Sequence, residues 1–174
     1  MSGADGEHLH YLRVALDQAA RCEPTPTAFC VGAVLVVRHP SQLSTPLVLS
    51  TGYSRELPGN THAEANALAK ACDLTPAELS AFPSQDVSEL LRHVDCYTTL
   101  EPCSVRTSGL APCADALIAA HIKRCVIGVG EPDDFVKCEG AQRLVNAGVE
   151  VIWVKGLEDE CLKAARRGHS DKET

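Results

Sequence analysis

The sequence predicts a three-layer α/β/α domain on a five-stranded mixed sheet with an N-terminal antiparallel hairpin. Three observations lead there. Two β-rich runs near the N-terminus are separated by a short polar loop, which favours a hairpin. After residue 94 short apolar strands alternate with helical patterns, which favours parallel pairing with helices on both faces. No linker, repeat or low-complexity tract divides the 174 residues, so 1–174 is read as one domain, with flexible polar tails at 1–6 and 168–174.

The first element is a helix from Glu7 to Arg21, where Leu9, Leu12, Leu16 and Ala19 recur at helical spacing and Pro24 and Pro26 end the pattern. Residues 28–37 form the first strand and Leu47 to Tyr53 the second, with a polar loop between. Gly32 inside that first strand marks either a bulge or a close backbone approach, a ligand being one candidate for what approaches. A loop then leads to a helix capped by Thr61 or Asn60, with Glu64 in its first turn, where the helix dipole favours acidic residues. Ala65, Leu68, Ala69 and Cys72 are expected on its apolar face. Residues 73–93 read as two short capped helices in a surface insert. Val94 to Leu100 is the third strand and delivers Glu101, Pro102 and Cys103 at its C-terminal end. A helix from Pro112 to about His121 follows, with proline at the first helical position. Arg124 to Val129, Gly140 to Ala147, Val149 to Val154 and Leu157 to Arg167 complete the alternation as strand, helix, strand and helix.

Composition narrows the function. The chain is 45% hydrophobic with a net charge of −7, which disfavours a polyanion-binding surface and so nucleic acid. No apolar run reaches the roughly 18–20 residues that span a bilayer, and the N-terminus lacks a signal-peptide apolar region. A cytoplasmic protein, also able to reach the nucleus, with no membrane partner is therefore expected. Nine cysteines in such a setting read as reduced thiols and a metal site. Cys30, Cys72, Cys96, Cys125 and Cys161 are expected as small buried hydrophobes. Cys22 and Cys138, near element ends, are expected closer to solvent.

The chemistry lies in His62-Ala63-Glu64 and in Pro102-Cys103 with Cys113 ten residues on. One His and two Cys can supply three ligands to zinc and leave a fourth position for water. Zinc brings the pKa of such a water near neutrality. Glu64 is then the proton shuttle, and a His, a nearby Glu and two Cys form the ligand and base set of the zinc deaminases of nucleobases. Nine residues separate Cys103 from Cys113, where the usual signature has two. Cys113 falls in the first turn of its helix, where free N–H groups stabilise a thiolate. A structural zinc would need a fourth protein ligand, with Cys96, His93 and His121 the available residues.

The stretches His62-Ala63-Glu64-Ala65-Asn66-Ala67-Leu68, Thr99-Leu100-Glu101-Pro102-Cys103-Ser104 and Ala111-Pro112-Cys113-Ala114-Asp115-Ala116-Leu117 resemble the cytidine-deaminase-like superfamily. With 53–64 and 103–109 added, the chain resembles the pyrimidine deaminases of riboflavin biosynthesis, in their fungal branch. The resemblance covers most of residues 7–155. It implies a zinc-dependent hydrolase of cyclic amidines that removes the 2-amino group of 2,5-diamino-6-ribitylamino-4(3H)-pyrimidinone 5′-phosphate; the bacterial branch acts on the ribosylamino form. It implies Zn²⁺ on His62, Cys103 and Cys113, Glu64 as the catalytic residue, and a homodimer. The bacterial Pro-Asn-Pro segment is replaced here by Thr27-Ala28-Phe29.

Candidate substrate contacts are Arg55 and Arg106 for the phosphate or ribityl end, Ser108 beside Arg106, Phe29 for stacking on the ring, Asn60 for the ring edge, and Lys137 in the loop after the fourth strand. Two other readings stand beside this one. A deaminase of cytidine or of tRNA adenosine would need a basic face in the RNA case. A non-catalytic zinc-bound scaffold would be favoured by loss of the Glu, and Glu64 is present.

Overall fold

The computed structural model describes residues 3–41, 45–106, 109–132 and 138–169. The elements are α1 (Gly3–Arg21), β1 (Gly32–Val37), β2 (Leu47–Tyr53), α2 (Ala63–Cys72), α3 (Pro76–Leu79), α4 (Val87–Leu91), β3 (Val94–Leu100), α5 (Cys113–Ala119), β4 (Arg124–Val129), α6 (Gly140–Asn146), β5 (Glu150–Trp153) and α7 (Glu158–Ala165). The expected fold is present. One five-stranded sheet runs in the order β2-β1-β3-β4-β5. β1 pairs antiparallel with β2 and β3, and β3, β4 and β5 pair in parallel.

Strand alternation sorts the core into two layers. Ala33, Leu35, Val37, Cys96, Cys125 and Ile127 face the side covered by α2, α5 and α6. Val34, Val36, Tyr97 and Val126 face α1 and α7, against Leu9, Leu12, Ala15, Leu157 and Cys161. The first layer carries the functional residues.

Several expectations are corrected. α1 begins at Gly3 rather than Glu7, so part of the expected N-terminal tail is helical. β1 begins at Gly32 rather than residue 28. Cys30 N–H donates to Ala165 O instead of to a strand neighbour, and residues 28 and 29 turn away to line a cavity. The close backbone approach at Gly32 is that of α1: a Cβ there would strike the backbone of Ala15 and Ala19, and the β1 irregularity falls at Leu35/Val36. On the opposite face Gly52 does the same for α2, since a Cβ would strike Ala63 O and Ala67 N. These two glycines let one helix on each side approach the sheet more closely than any side chain permits.

That approach also selects the buried face of α2. Ala63, Glu64, Asn66, Ala67, Leu68 and Ala71 are buried, while Ala69 and Cys72 are exposed. An alanine-rich helix is apolar on most sides, and the row 63/67/71 wins because it fits against Gly52. Cys22 is buried instead of lying near solvent. The 73–93 insert forms its two short helices, the first with a Thr75/Glu78 capping box and the second capped by Asp86, and Leu79, Leu90 and Leu91 bury against the core.

At the far end of the sheet Asp95, fully buried, accepts from Arg38 and Arg124. Those two ion pairs tie β1, β3 and β4 together at the edge opposite the functional site.

Candidate active site

Three loops converge beyond the C-terminal end of β3. The segment from Ser54 to Thr61 leaves β2 and enters α2. Arg55 holds a left-handed backbone (φ 63°) there, sparsely populated for a non-glycine residue, and its N–H donates to Thr61 O at 2.7 Å. Thr61 Oγ1 donates to Leu57 O at 2.9 Å and accepts from Asn66 Nδ2 at 3.1 Å. The Thr61 hydroxyl thus closes the loop and does not cap the helix. The N-cap residue is His62, with no side-chain cap bond. Its imidazole is left for other work.

That imidazole meets both cysteines. His62 Nδ1 lies 3.5 Å from Cys103 Sγ and 3.5 Å from Cys113 Sγ, and the three donor atoms lie within 4.8 Å of one another. Tetrahedral zinc, with bonds of about 2.0–2.1 Å to nitrogen and 2.3 Å to sulfur, sets N and S roughly 3.6 Å apart. The spacing fits that ion. Cys113 is the first residue of α5 and its N–H donates to Cys103 Sγ at 3.3 Å. The hydrogen bond from Cys113, with help from the His62 ring and that amide, draws the Cys103 thiol down to about 4. The adjacent Cys103 sulfur and burial push Cys113 up. These opposite shifts leave Cys113 as the sulfur that holds its proton, which a divalent cation bound by the pair would displace. No fourth protein ligand joins the cluster among the described residues. Cys96 is buried beside Cys125 in the sheet, His93 packs edge-on against His39, and His121 sits exposed after α5.

Glu64 is the second residue of α2, in its first turn, and is buried. Thr98 Oγ1 donates to Glu64 Oε1 at 2.9 Å and lies 3.0 Å from Leu100 O. Burial, then the negative charge of Cys103, raises the Glu64 carboxyl above the ordinary range. A carboxyl that is dry and raised in pKa is suited to holding and releasing a proton near neutrality.

A cavity of about 380 Å³ opens onto these groups. His62, Glu64 and Cys103 line it together with Phe29, Arg55, Asn60 and Arg106, so the fold brings these candidates to one site. Phe29 also packs against the core and against His169, ring centroids 5.1 Å apart. The Arg55 guanidinium donates to Phe29 O at 3.1 Å, Glu23 O at 2.7 Å and Cys22 Sγ at 2.8 Å, so it knits the loop before β1 to the loop before α2. Arg106 Nη2 donates to Asn60 O at 2.6 Å and bridges the inter-cysteine loop to the same segment. The Nε atoms of both arginines are buried without a partner among the described residues. Ser108 and Lys137 lie outside the described residues.

Sequence reasoning missed Thr98, Glu101, Glu131 and Cys138. Thr98 shares the strand face of Cys96 and Leu100, and that alternation could have aimed it at α2. Glu101 Oε1 accepts from Ala141 N at the start of α6 at 2.9 Å. Glu131 follows β4 at the same sheet edge, where ligands of open α/β sheets sit.

The fold and the His/Cys/Cys/Glu site define a zinc-binding deaminase domain. Residues 6–129 match the family described as "Cytidine and deoxycytidylate deaminase zinc-binding region", and the chain belongs to that family. Within it, the chain is 42% identical over 165 residues to the diaminohydroxyphosphoribosylamino-pyrimidine deaminase of Schizosaccharomyces pombe, covering 95% of this chain and 36% of that protein. It is also similar to the Aspergillus oryzae Rib2 deaminase solved in complex with DARIPP, with TM-score 0.77 and 37% identity over 95% of this chain and 93% of that one. Acinetobacter baumannii RibD matches with TM-score 0.70 and 28% identity over 92% of this chain and 38% of that one. The chain spans about a third of the length of the curated relatives it matches.

Proposed function

We propose that the protein is a zinc-dependent hydrolase that removes the 2-amino group of 2,5-diamino-6-ribitylamino-4(3H)-pyrimidinone 5′-phosphate. The observation that carries the proposal is a dry Glu64 on the same cavity wall as His62 and Cys103 of the His/Cys/Cys cluster. The likeness to the fungal Rib2 deaminase over nearly the whole chain supports the substrate class. The chain is read further as cytoplasmic and as a homodimer, the latter supported by the sequence resemblance.

His62, Cys103 and Cys113 would hold the zinc. Bound there, it supplies the Lewis acidity that makes water a nucleophile near neutral pH. Water adds to C2 of the ring and ammonia leaves, so one C–O bond forms and one C–N bond breaks. Glu64 accepts the proton that the water gives up, passes it to a ring nitrogen, and helps protonate the departing amine. Thr98 holds Oε1 of Glu64, which orients the carboxyl through the cycle. Arg106 has N–H capacity beyond its bonds to Asn60 O and Ala111 O, and it is the candidate for the phosphate.

The test is direct. Zinc-loaded protein incubated with the ribitylamino-pyrimidine phosphate should release one ammonia per substrate, with the deaminated pyrimidine seen by mass spectrometry. Turnover only of cytidine, deoxycytidylate or tRNA would overturn the substrate assignment.

A further inference from the structure

We propose that Glu101 and Ser104 are positioning residues for the metal: by accepting the amides of Ala141 and Glu139 they fix the backbone on either side of Cys103, and so the aim of its sulfur. This inference rests on the zinc site and not on the substrate assignment.

The three ligands are not placed alike. His62 is the N-cap of α2 and Cys113 opens α5, so helices fix those two. Cys103 lies on the loop that leaves β3, and a group on a loop is held less precisely than one on a helix or strand. Its neighbours supply the missing hold. Glu101, two residues before it, accepts from Ala141 N through Oε1 at 2.9 Å. Ser104, one residue after it, accepts from Glu139 N through Oγ at 3.1 Å. Between those two amides stands Gly140, where a Cβ would strike Pro102 O. The missing side chain lets the start of α6 lie directly on the Pro102-Cys103 peptide. From the other side Ala114 N donates to Cys103 O at 3.2 Å, and Cys113 N donates to Cys103 Sγ at 3.3 Å. The Cys103 loop is thus clipped between the starts of α5 and α6. The Arg143–Asp115 ion pair, 3.0 Å, ties those two helices together.

The clip has a chemical consequence. Zinc–ligand distances vary by only about 0.2 Å, so a sulfur on a loop free to swing further makes a weaker site. Groups that hold metal ligands in place typically account for about 10- to 100-fold in metal affinity or activity. Glu101 lies outside the His/Cys/Cys cluster, so it acts on the metal through Cys103. Ser104 is buried, which keeps its hydroxyl on the Glu139 amide. Both residues also line the cavity, and a direct substrate contact is the rival role that the experiment must separate.

The experiment uses the full chain carrying Glu101→Ala, Ser104→Ala or Glu101→Gln. Zinc affinity is measured against a competing chelator. The visible absorption of the Co²⁺-loaded protein at saturating metal reports the geometry of the thiolate site without any turnover. Each alanine variant should bind zinc about 10- to 100-fold more weakly than wild type and shift the Co²⁺ bands. Glu101→Gln keeps an oxygen for the Ala141 amide and should restore most of both signals. Should Glu101→Ala fold poorly, Ser104→Ala, which removes a single heavy atom, carries the test. Zinc affinity within about twofold of wild type in both alanine variants, with unchanged Co²⁺ bands, overturns the inference. A raised KM at unchanged zinc affinity overturns it too and makes the two residues substrate contacts. A glutamine variant as impaired as the alanine one overturns the role of the Ala141 hydrogen bond. Absence of wild-type turnover of the diaminopyrimidine overturns the proposed function alone, because neither metal readout needs a substrate.

Discussion

Thr98→Val isolates the hold on Glu64. Thr98 is fully buried and its hydroxyl lies 2.9 Å from Glu64 Oε1. Valine has nearly the same shape, so no cavity opens, and His62, Cys103 and Cys113 keep their places. Only the hydroxyl goes. A hydrogen bond to a charged group is worth about 1.5–3 kcal/mol, and each ~1.4 kcal/mol is a factor of ten in rate. If the bond orients the shuttle, kcat falls about 10- to 150-fold. KM and zinc per chain should stay at wild-type values, because Thr98 neither lines the cavity nor belongs to the His/Cys/Cys cluster. The same deletion leaves the buried Glu64 Oε1 short of a donor, which costs about 1–3 kcal/mol of stability. Steady-state ammonia release, metal analysis and a thermal melt read these quantities. Thr98→Ser restores the hydroxyl and should return most of kcat. A kcat for Thr98→Val within about twofold of wild type would refute the positioning argument, and so would a serine variant as slow as the valine one.

The other expectations concern the metal, the base, the phosphate and the packing. Glu64→Gln should retain one zinc per chain and lose about 10²- to 10⁴-fold in turnover; a variant still turning over near the wild-type rate would remove Glu64 from the proton path. Cys113→Ala should no longer hold stoichiometric zinc, and zinc loading of the metal-free wild type should release about one proton from the cysteine pair, read by calorimetry in two buffers of different ionisation heat. The direction follows from Cys103, already a thiolate at neutral pH because it is drawn to about 4, and from Cys113, which is pushed up. Arg106→Ala should raise KM for the phosphorylated substrate about tenfold with kcat nearly kept; an unchanged KM would reduce Arg106 to a tie between two loops. Gly52→Ala should cost about 1–3 kcal/mol by pushing α2 off the sheet, and a melting temperature equal to wild type would contradict the close approach.

Much of the architecture was legible because it follows from periodicity. Leu47–Tyr53, Val94–Leu100 and Arg124–Val129 occur with the boundaries expected from their β-rich runs. The ligand set was legible as well, since it depends on residue type and order along the chain. Tertiary packing decided the rest. It stopped β1 at Gly32, where α1 leaves no room for a side chain, and it turned the 63/67/71 row of α2 toward Gly52. It gave the N-cap of α2 to His62, because the Thr61 hydroxyl was needed to close the preceding loop. It also engaged both candidate arginines with backbone carbonyls and brought Thr98 and Glu131, far apart in the chain, to the wall around Glu64. The sequence by itself determined which groups the protein brings: a His and two Cys able to hold zinc, a nearby Glu proposed as the proton shuttle, and an α/β frame to carry them. Only the tertiary structure decided which side chain holds Glu64 and which ones line the cavity, because those contacts depend on distances between strands and loops that no local pattern encodes.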